Sequence, residues 1–218
     1  SAEMGPLIES LRAIVDPRAT EMIQWTIDAF APDAFARRTG FAPRRKGTPD
    51  APEQVMLDVG AMAKGHDFFN VGFLEVSPDG RLLAFAEDTV GRRQFTLRFK
   101  DLETGRVLPD TIPNVQPGVA WAADNRSVLY VEKDPQTLLG TKVRRHVLGS
   151  DPKDDALVYE EHDESFYTAV GRSKDGRYLY IHSQSTVSSE QRYAEATDPQ
   201  LGFRVILPRE RDHEYHAD

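Results

Sequence analysis

Few side chains in this sequence stand at spacings that do chemistry. A nucleophilic serine on a strand-to-helix turn shows itself as G-x-S-x-G, and no such pentapeptide occurs. The nearest string is GRSKDG, Gly171 to Gly176, whose Ser173 holds a turn position that recurs as Ser77 and Ala122. A position filled by alanine in one copy reads as structural. His213 and His216, in DHEYHAD, have the i, i+3 separation of metal ligands on a helix. That segment reads as a strand, where residues three apart face opposite sides, which argues against a metal site. His66, His146, His162 and His182 share no motif and read as surface or half-buried strand residues. EEHDES, Glu160 to Ser165, reads as a solvated acidic loop between structural units. The glycine-rich stretches are turns with no helix after them, so none is a phosphate cradle. No catalytic, cofactor-binding or metal residue is assigned, and no cofactor is expected.

One stretch concentrates charge. AEDTVGRRQ, Ala86 to Gln94, places Glu87, Asp88, Arg92 and Arg93 within seven residues. Arginine's planar fork binds a carboxylate through two parallel hydrogen bonds, which makes the loop a candidate contact between domains. The alternative is a solvated turn whose ion pairs contribute up to about 1 kcal/mol.

The elements that carry these residues repeat. FLEVSPDGRLLAF (Phe73 to Phe85), AWAADNRSVLY (Ala120 to Tyr130) and VGRSKDGRYLYI (Val170 to Ile181) each read as strand, Asp turn, strand, with Asp79, Asp124 and Asp175 spaced 45 and 51 residues apart. Third strands follow at Arg93 to Asp101, Lys142 to Leu148 and Glu190 to Ala194, and short fourth strands at RVLP, ALVYEE and FRVILP. Four antiparallel strands at this period describe the blade of a propeller, and VMLD, Val55 to Asp58, reads as the outermost strand of a preceding one. The fold class is therefore mainly β: a partial propeller of about three blades plus part of another, over residues 44–218. A propeller needs at least about four blades to close, and Tyr215 is left with no partner strand, so the sequence reads as a fragment of a longer protein. Its unpaired blade edges are expected to promote self-association.

Residues 1–43 differ in character. Leu7, Leu11, Ile14 and Val15 fall on one helical stripe, and Met22, Ile23, Trp25 and Phe30 on a second. They predict a short helical segment whose apolar face packs rather than binds ligand. Pro32 to Glu53 reads as linker. The formal charge of −8 argues against nucleic acid or an anionic membrane as partner, and the absence of cysteine removes disulfides and thiol chemistry. No apolar run approaches the roughly 20 residues of a spanning helix. A cytoplasmic location is expected, with the periplasm as the alternative.

The strings AEDTVGRRQFTLRFKDLETG (Ala86 to Gly105) and RERDHEY (Arg209 to Tyr215), with VAWAADNRSVLYVEKDPQTL between them, resemble the N-terminal propeller of oligopeptidase B in the prolyl oligopeptidase family of serine peptidases. The likeness runs from about Arg44 to the end. It implies a seven-bladed propeller over an α/β-hydrolase domain, enclosing a cavity that admits short peptides for cleavage after Arg or Lys. Early strands of the first blade are missing here, and the hydrolase domain with its serine, aspartate and histidine falls outside the sequence. No catalytic residue transfers to any position, and the chain alone is expected to be inactive. Its partners are then the hydrolase domain of its parent and, through it, short basic peptides. The competing reading is a truncated, non-catalytic scaffold or binding module.

Overall fold

The computed structural model describes residues 41–45 and 53–217. The helices expected within residues 6–30 lie outside the described residues. The first of two units carries β1 (Phe41–Arg45) paired with β2 (Glu53–Asp58). The β1 segment corrects the reading of that stretch as linker: both strands of a two-stranded ribbon are edges, where a proline does not preclude a strand. Asp58 then caps the short helix α1 (Val59–Met62) by accepting from the Ala61 N–H at 2.8 Å.

The second unit, from Gly65 onward, holds the repeat. Blade 1 consists of β3 (Asn70–Val76), β4 (Leu82–Asp88), β5 (Phe95–Asp101) and the first half of β6 (Val107–Trp121). Blade 2 takes the second half of β6 with β7 (Ser127–Lys133), β8 (Gly140–Val147) and β9 (Ala156–Glu160). Blade 3 is β10 (Tyr167–Arg172), β11 (Tyr178–Gln184), β12 (Ser189–Glu195) and β13 (Arg204–Val205). Every strand pairs antiparallel with its successor inside a blade. The mainly β partial propeller read from the repeat is the architecture observed.

Strand β6 departs from the expectation of two separate strands. It pairs with β5 up to Val115 and with β7 from there on, with a register shift between Val115 and Val119. Asn114 and Gly118 bend the backbone there at φ 56° and 136°, so the TIPNVQPG stretch keeps extended geometry while passing from one blade to the next. Blades 1 and 2 thereby become one seven-stranded sheet. Strand β13 is shorter than expected because Leu207 gives its N–H to the Tyr215 hydroxyl at 3.1 Å instead of to β12.

The turns repeat down to single atoms. Ser77 and Ser173 each donate through Oγ to the aspartate two residues on, at 2.6 Å, and accept the N–H that opens the next strand at 2.9 Å. Gly80 and Gly176 sit at φ 74° and 73° in those turns, and Asn125 takes the same place at φ 58°. Where Ala122 cannot donate, Ser127 does, giving its hydroxyl to Asp124 at 2.7 Å.

Strand alternation builds two cores. On β7, Val128 and Tyr130 face a cluster with Phe95, Leu97, Phe99 and Trp121 between blades 1 and 2. Leu129 and Val131 face the opposite way, toward Val143, Leu179 and Ile181 between blades 2 and 3. A period of two places neighbouring residues on opposite faces, so VLYV, apolar throughout, serves both seams.

Candidate functional site

The charged loop between β4 and β5 divides its residues between two directions. Asp88 is 2% exposed and accepts the N–H groups of Val90, Gly91 and Arg93, each at 2.9 Å. Glu87 pairs with Arg98 across the sheet at 3.1 Å. Both carboxylates therefore work within the blade. Arg92 and Arg93 are exposed, and the Arg93 carbonyl accepts from Lys133 Nζ at 2.9 Å. Burial, reinforced by Arg93, holds the Lys133 ammonium below its ordinary pKa. Of the four residues singled out by spacing, only the two arginines present their charge to solvent.

A second charged region was legible only as an acidic loop. Tyr159 on β9, the connection Glu160 to Glu164, Arg192 on β12 and Arg209 after β13 line an open cleft of about 620 Å³. Arg209 donates to Glu161 at 2.8 Å and to Glu190 at 3.1 Å, while its guanidinium lies 4.0 Å over the Phe166 ring. Tyr159 gives its hydroxyl to Glu161 at 2.6 Å, and Arg192 stacks over the Tyr159 ring at 4.3 Å while pairing with Glu190 at 2.6 Å. Glu161 is thus buried and bound, which corrects its reading as part of a solvated loop. Burial alone would raise its carboxyl; hydrogen bonds from Arg209, Tyr159 and the Asp163 N–H outweigh that and hold it down to about 2. Glu190 is lowered for the same reasons, burial opposing and Arg209 prevailing. His162, Asp163 and Glu164 remain exposed at the rim. The cleft presents an excess of carboxylate and suits a cationic group.

The histidines divide likewise. His146, expected at most half-buried, is fully buried: its Nδ1 faces Asp155 Oδ1 at 2.9 Å and its Nε2 faces Asp110 Oδ1 at 3.1 Å. Tyr130 donates to the other Asp155 oxygen at 2.9 Å, and Phe99 stacks on the imidazole at 5.9 Å. Burial, with Asp155 beside it, pushes the Tyr130 phenol above its usual range. This network is closed to solvent and ties β6, β7, β8 and the turn before β9 together. Its signal in the sequence is faint, since Asp110 lies 36 residues from His146.

His213 and His216 do not converge. His213 stands beside Tyr215, His216 stacks on His182 at 5.6 Å, and the segment forms only an isolated bridge, Ser188 to His213. Burial, then the neighbouring His216, lowers the His182 pKa. Tyr215, expected to lack a partner, is clasped. Its hydroxyl donates to the Leu207 carbonyl at 2.7 Å and accepts from the Gln191 N–H at 2.8 Å, while its backbone exchanges hydrogen bonds with the Ser189 hydroxyl. Side chains on β12 here do what a partner strand would. Ser173 is occupied by its own turn, its hydroxyl donating to Asp175 and accepting from the Tyr178 N–H.

Comparison with known proteins gives this geometry a context. The family model for the prolyl oligopeptidase N-terminal β-propeller domain matches residues 34–218. The chain is 55% identical over 168 residues to a dipeptidyl aminopeptidase BI of Pseudoxanthomonas mexicana, covering 77% of this chain and 23% of that protein. It is 31% identical to protease 2 of Moraxella lacunata, covering 80% of this chain and 25% of that one. Among solved structures, oligopeptidase B from Leishmania major superposes with a TM-score of 0.72 at 28% identity, over 80% of this chain and 25% of that one. The chain spans about a quarter of the length of the relatives it matches.

Proposed function

Since the chain belongs to the family of prolyl oligopeptidase N-terminal β-propeller domains, we propose that it is the gating portion of a serine oligopeptidase, set over an α/β-hydrolase domain. Selection by size asks for walls and a narrow opening rather than a reactive side chain. The observation that carries this reading is the family match over 34–218 in a chain spanning only 23% and 25% of its relatives, which leaves room for a catalytic domain. Residues 44–218 are the propeller portion in this proposal, and the parent works in the cytoplasm. Exposed Arg92 and Arg93 are its contact with the hydrolase domain, the inward Glu87 and Asp88 fixing the loop that carries them.

The substrate in this reading is a short peptide cleaved after Arg or Lys. Likeness to oligopeptidase B supports it, as does the carboxylate excess of the cleft, which offers counter-charge to a guanidinium or ammonium. The test is to express the whole parent reading frame and compare fluorogenic peptides ending in Arg, Lys or Ala before the scissile bond. A preference of at least about tenfold in kcat/KM for the basic peptides, roughly 1.4 kcal/mol of transition-state discrimination, is expected, and equal rates would refute the assignment. The 55% identity to a dipeptidyl aminopeptidase favours a second reading, release of dipeptides from a free amino terminus. Acetylating the amino terminus separates the two: the first predicts continued cleavage, the second its loss.

A further inference from the structure

Blade 3 is joined to its neighbour differently from the way blade 2 is joined to blade 1. No strand is shared across it; the chain crosses from β9 to β10 through residues 161–166. The buried cluster between the two blades is small or aliphatic, with Ala120, Ala122 and Leu129 facing Leu179, Ile181 and Ala196, and the rings of Tyr159 and Phe203 pack at its margin only half-buried. The Ala123 N–H donates to the Ala196 carbonyl at 2.9 Å to tie one turn to the next, and Arg145 on β8 donates to the Pro199 carbonyl. Arg209 supplies what the small side chains do not. From the segment after β13 it reaches Glu161 at the exit of blade 2 and Glu190 on β12, and it covers the ring of Phe166.

Both carboxylates are nearly withdrawn from water, with Glu161 at 4% and Glu190 at 8% side-chain exposure. Arg192 still pairs with Glu190 when Arg209 is removed, but Glu161 keeps only the Tyr159 hydroxyl and the Asp163 N–H. A buried charge without a counter-ion is strongly unfavourable, and Arg209 is the contact that joins Glu161 at the exit of blade 2 to Glu190 on blade 3.

We infer that Arg209 is the latch of a seam built to open: when its ion network is released, blade 3 and the tail part from blades 1 and 2 as a unit while the fused pair stays folded. Such an opening is a lateral door in the wall, independent of any approach along a propeller face. It does not require the peptidase reading.

Hydrogen exchange followed by mass spectrometry on the full 218-residue chain tests this. Arg209→Ala is expected to speed exchange in β10 and β12 by about tenfold or more, with β4 and β5 unchanged within about twofold, the pattern of a local opening. Arg209→Lys, which keeps the charge but loses the fork and the ring contact, is expected to fall between. Should the alanine variant fail to fold, the wild type in low and high salt reads the same latch, with protection lost first in blade 3. Equal acceleration in all three blades would overturn the inference, as would an unchanged blade 3 in the variant or, for the wild type, at high salt.

Discussion

The two seams of the described propeller are built from one repeat and filled in opposite ways. Between blades 1 and 2 lie Phe95, Phe99, Trp121 and Tyr130, with Phe99 and Trp121 edge to face at 5.8 Å. The Trp121 indole also donates across the seam to the Glu75 carbonyl at 3.2 Å. Between blades 2 and 3 the buried positions hold alanine, valine, leucine and isoleucine, and charge finishes the joint. Strand alternation decides which positions face a seam, but side-chain volume decides whether apolar contact alone can close it. Where the filling is aromatic, buried area and dispersion add to the Trp121 hydrogen bond and the closed His146–Asp110 contact. Where it is small, an ion network lining an open cleft makes up the difference, and the boundary acquires a dependence on pH and salt.

The largest expected effect breaks the aromatic seam. Trp121→Ala removes the biggest fully buried side chain and its hydrogen bond, and should cost about 3–5 kcal/mol, read as a lower denaturant midpoint. A loss below about 1 kcal/mol would mean that the seam collapses around the cavity and that the contrast between seams is overstated.

Acid should act on the other seam. Glu161 titrates near 2 in the folded protein against its ordinary 4.5, so its contribution is whole above about 4.5 and drains away as pH falls toward about 2. The groups around it are Arg209, Tyr159, Glu190, Arg192 and the backbone of Asp163. That contribution is on the order of 2–3 kcal/mol. Glu161→Gln should lose that share of the acid dependence. Stability curves of wild type and variant that run parallel from pH 6 to pH 2.5 would show that the network does not carry it.

How much of this was readable beforehand follows the range of the interactions. The turns at Asp79, Asp124 and Asp175 are local, closed by hydrogen bonds within five residues, and their repeat exposed the blades. The arginine loop was visible as well, but its inward half was not, because Asp88 is buried by a fold that brings three N–H groups onto one carboxylate. Arg209 and Glu161 are 48 residues apart, and His146 meets Asp110 only after blade 2 has closed. No periodicity reports such pairs. Strand β6 misled for a different cause: Pro113 and Pro117 signal a break in the ladder, which occurs, but the chain stays extended through it.

A smaller effect sharpens the repeat itself. Ser173→Ala deletes a hydroxyl that donates to Asp175 and accepts from the Tyr178 N–H, and should cost about 0.5–1.5 kcal/mol. Cleavage by the full-length parent should be unchanged. Loss of turnover with unaltered thermal stability would reverse the structural assignment of Ser173.

The smallest expected effect on folding concerns the two exposed arginines of the loop between β4 and β5. Arg92 and Arg93 are exposed and, among the described residues, stand outside the ion pairs that close the blades, so Arg92→Ala and Arg93→Ala should each leave the chain's stability within about 0.5 kcal/mol. Their proposed work is elsewhere. Asp88 gathers three N–H groups and holds the loop in one shape, and Lys133 fixes the Arg93 carbonyl. The two guanidiniums therefore project from a rigid base, which lowers the entropy lost on meeting a partner carboxylate. If they bind the hydrolase domain, the double variant of the full-length parent should cleave peptides with a weaker dependence on salt than the wild type, since screening acts on the charges removed. Asp88→Asn, which keeps the arginines but loosens their base, should reproduce part of that change. Identical salt profiles for all three proteins would leave the arginines as solvated surface and move the search for the domain contact to the rim of the acidic cleft.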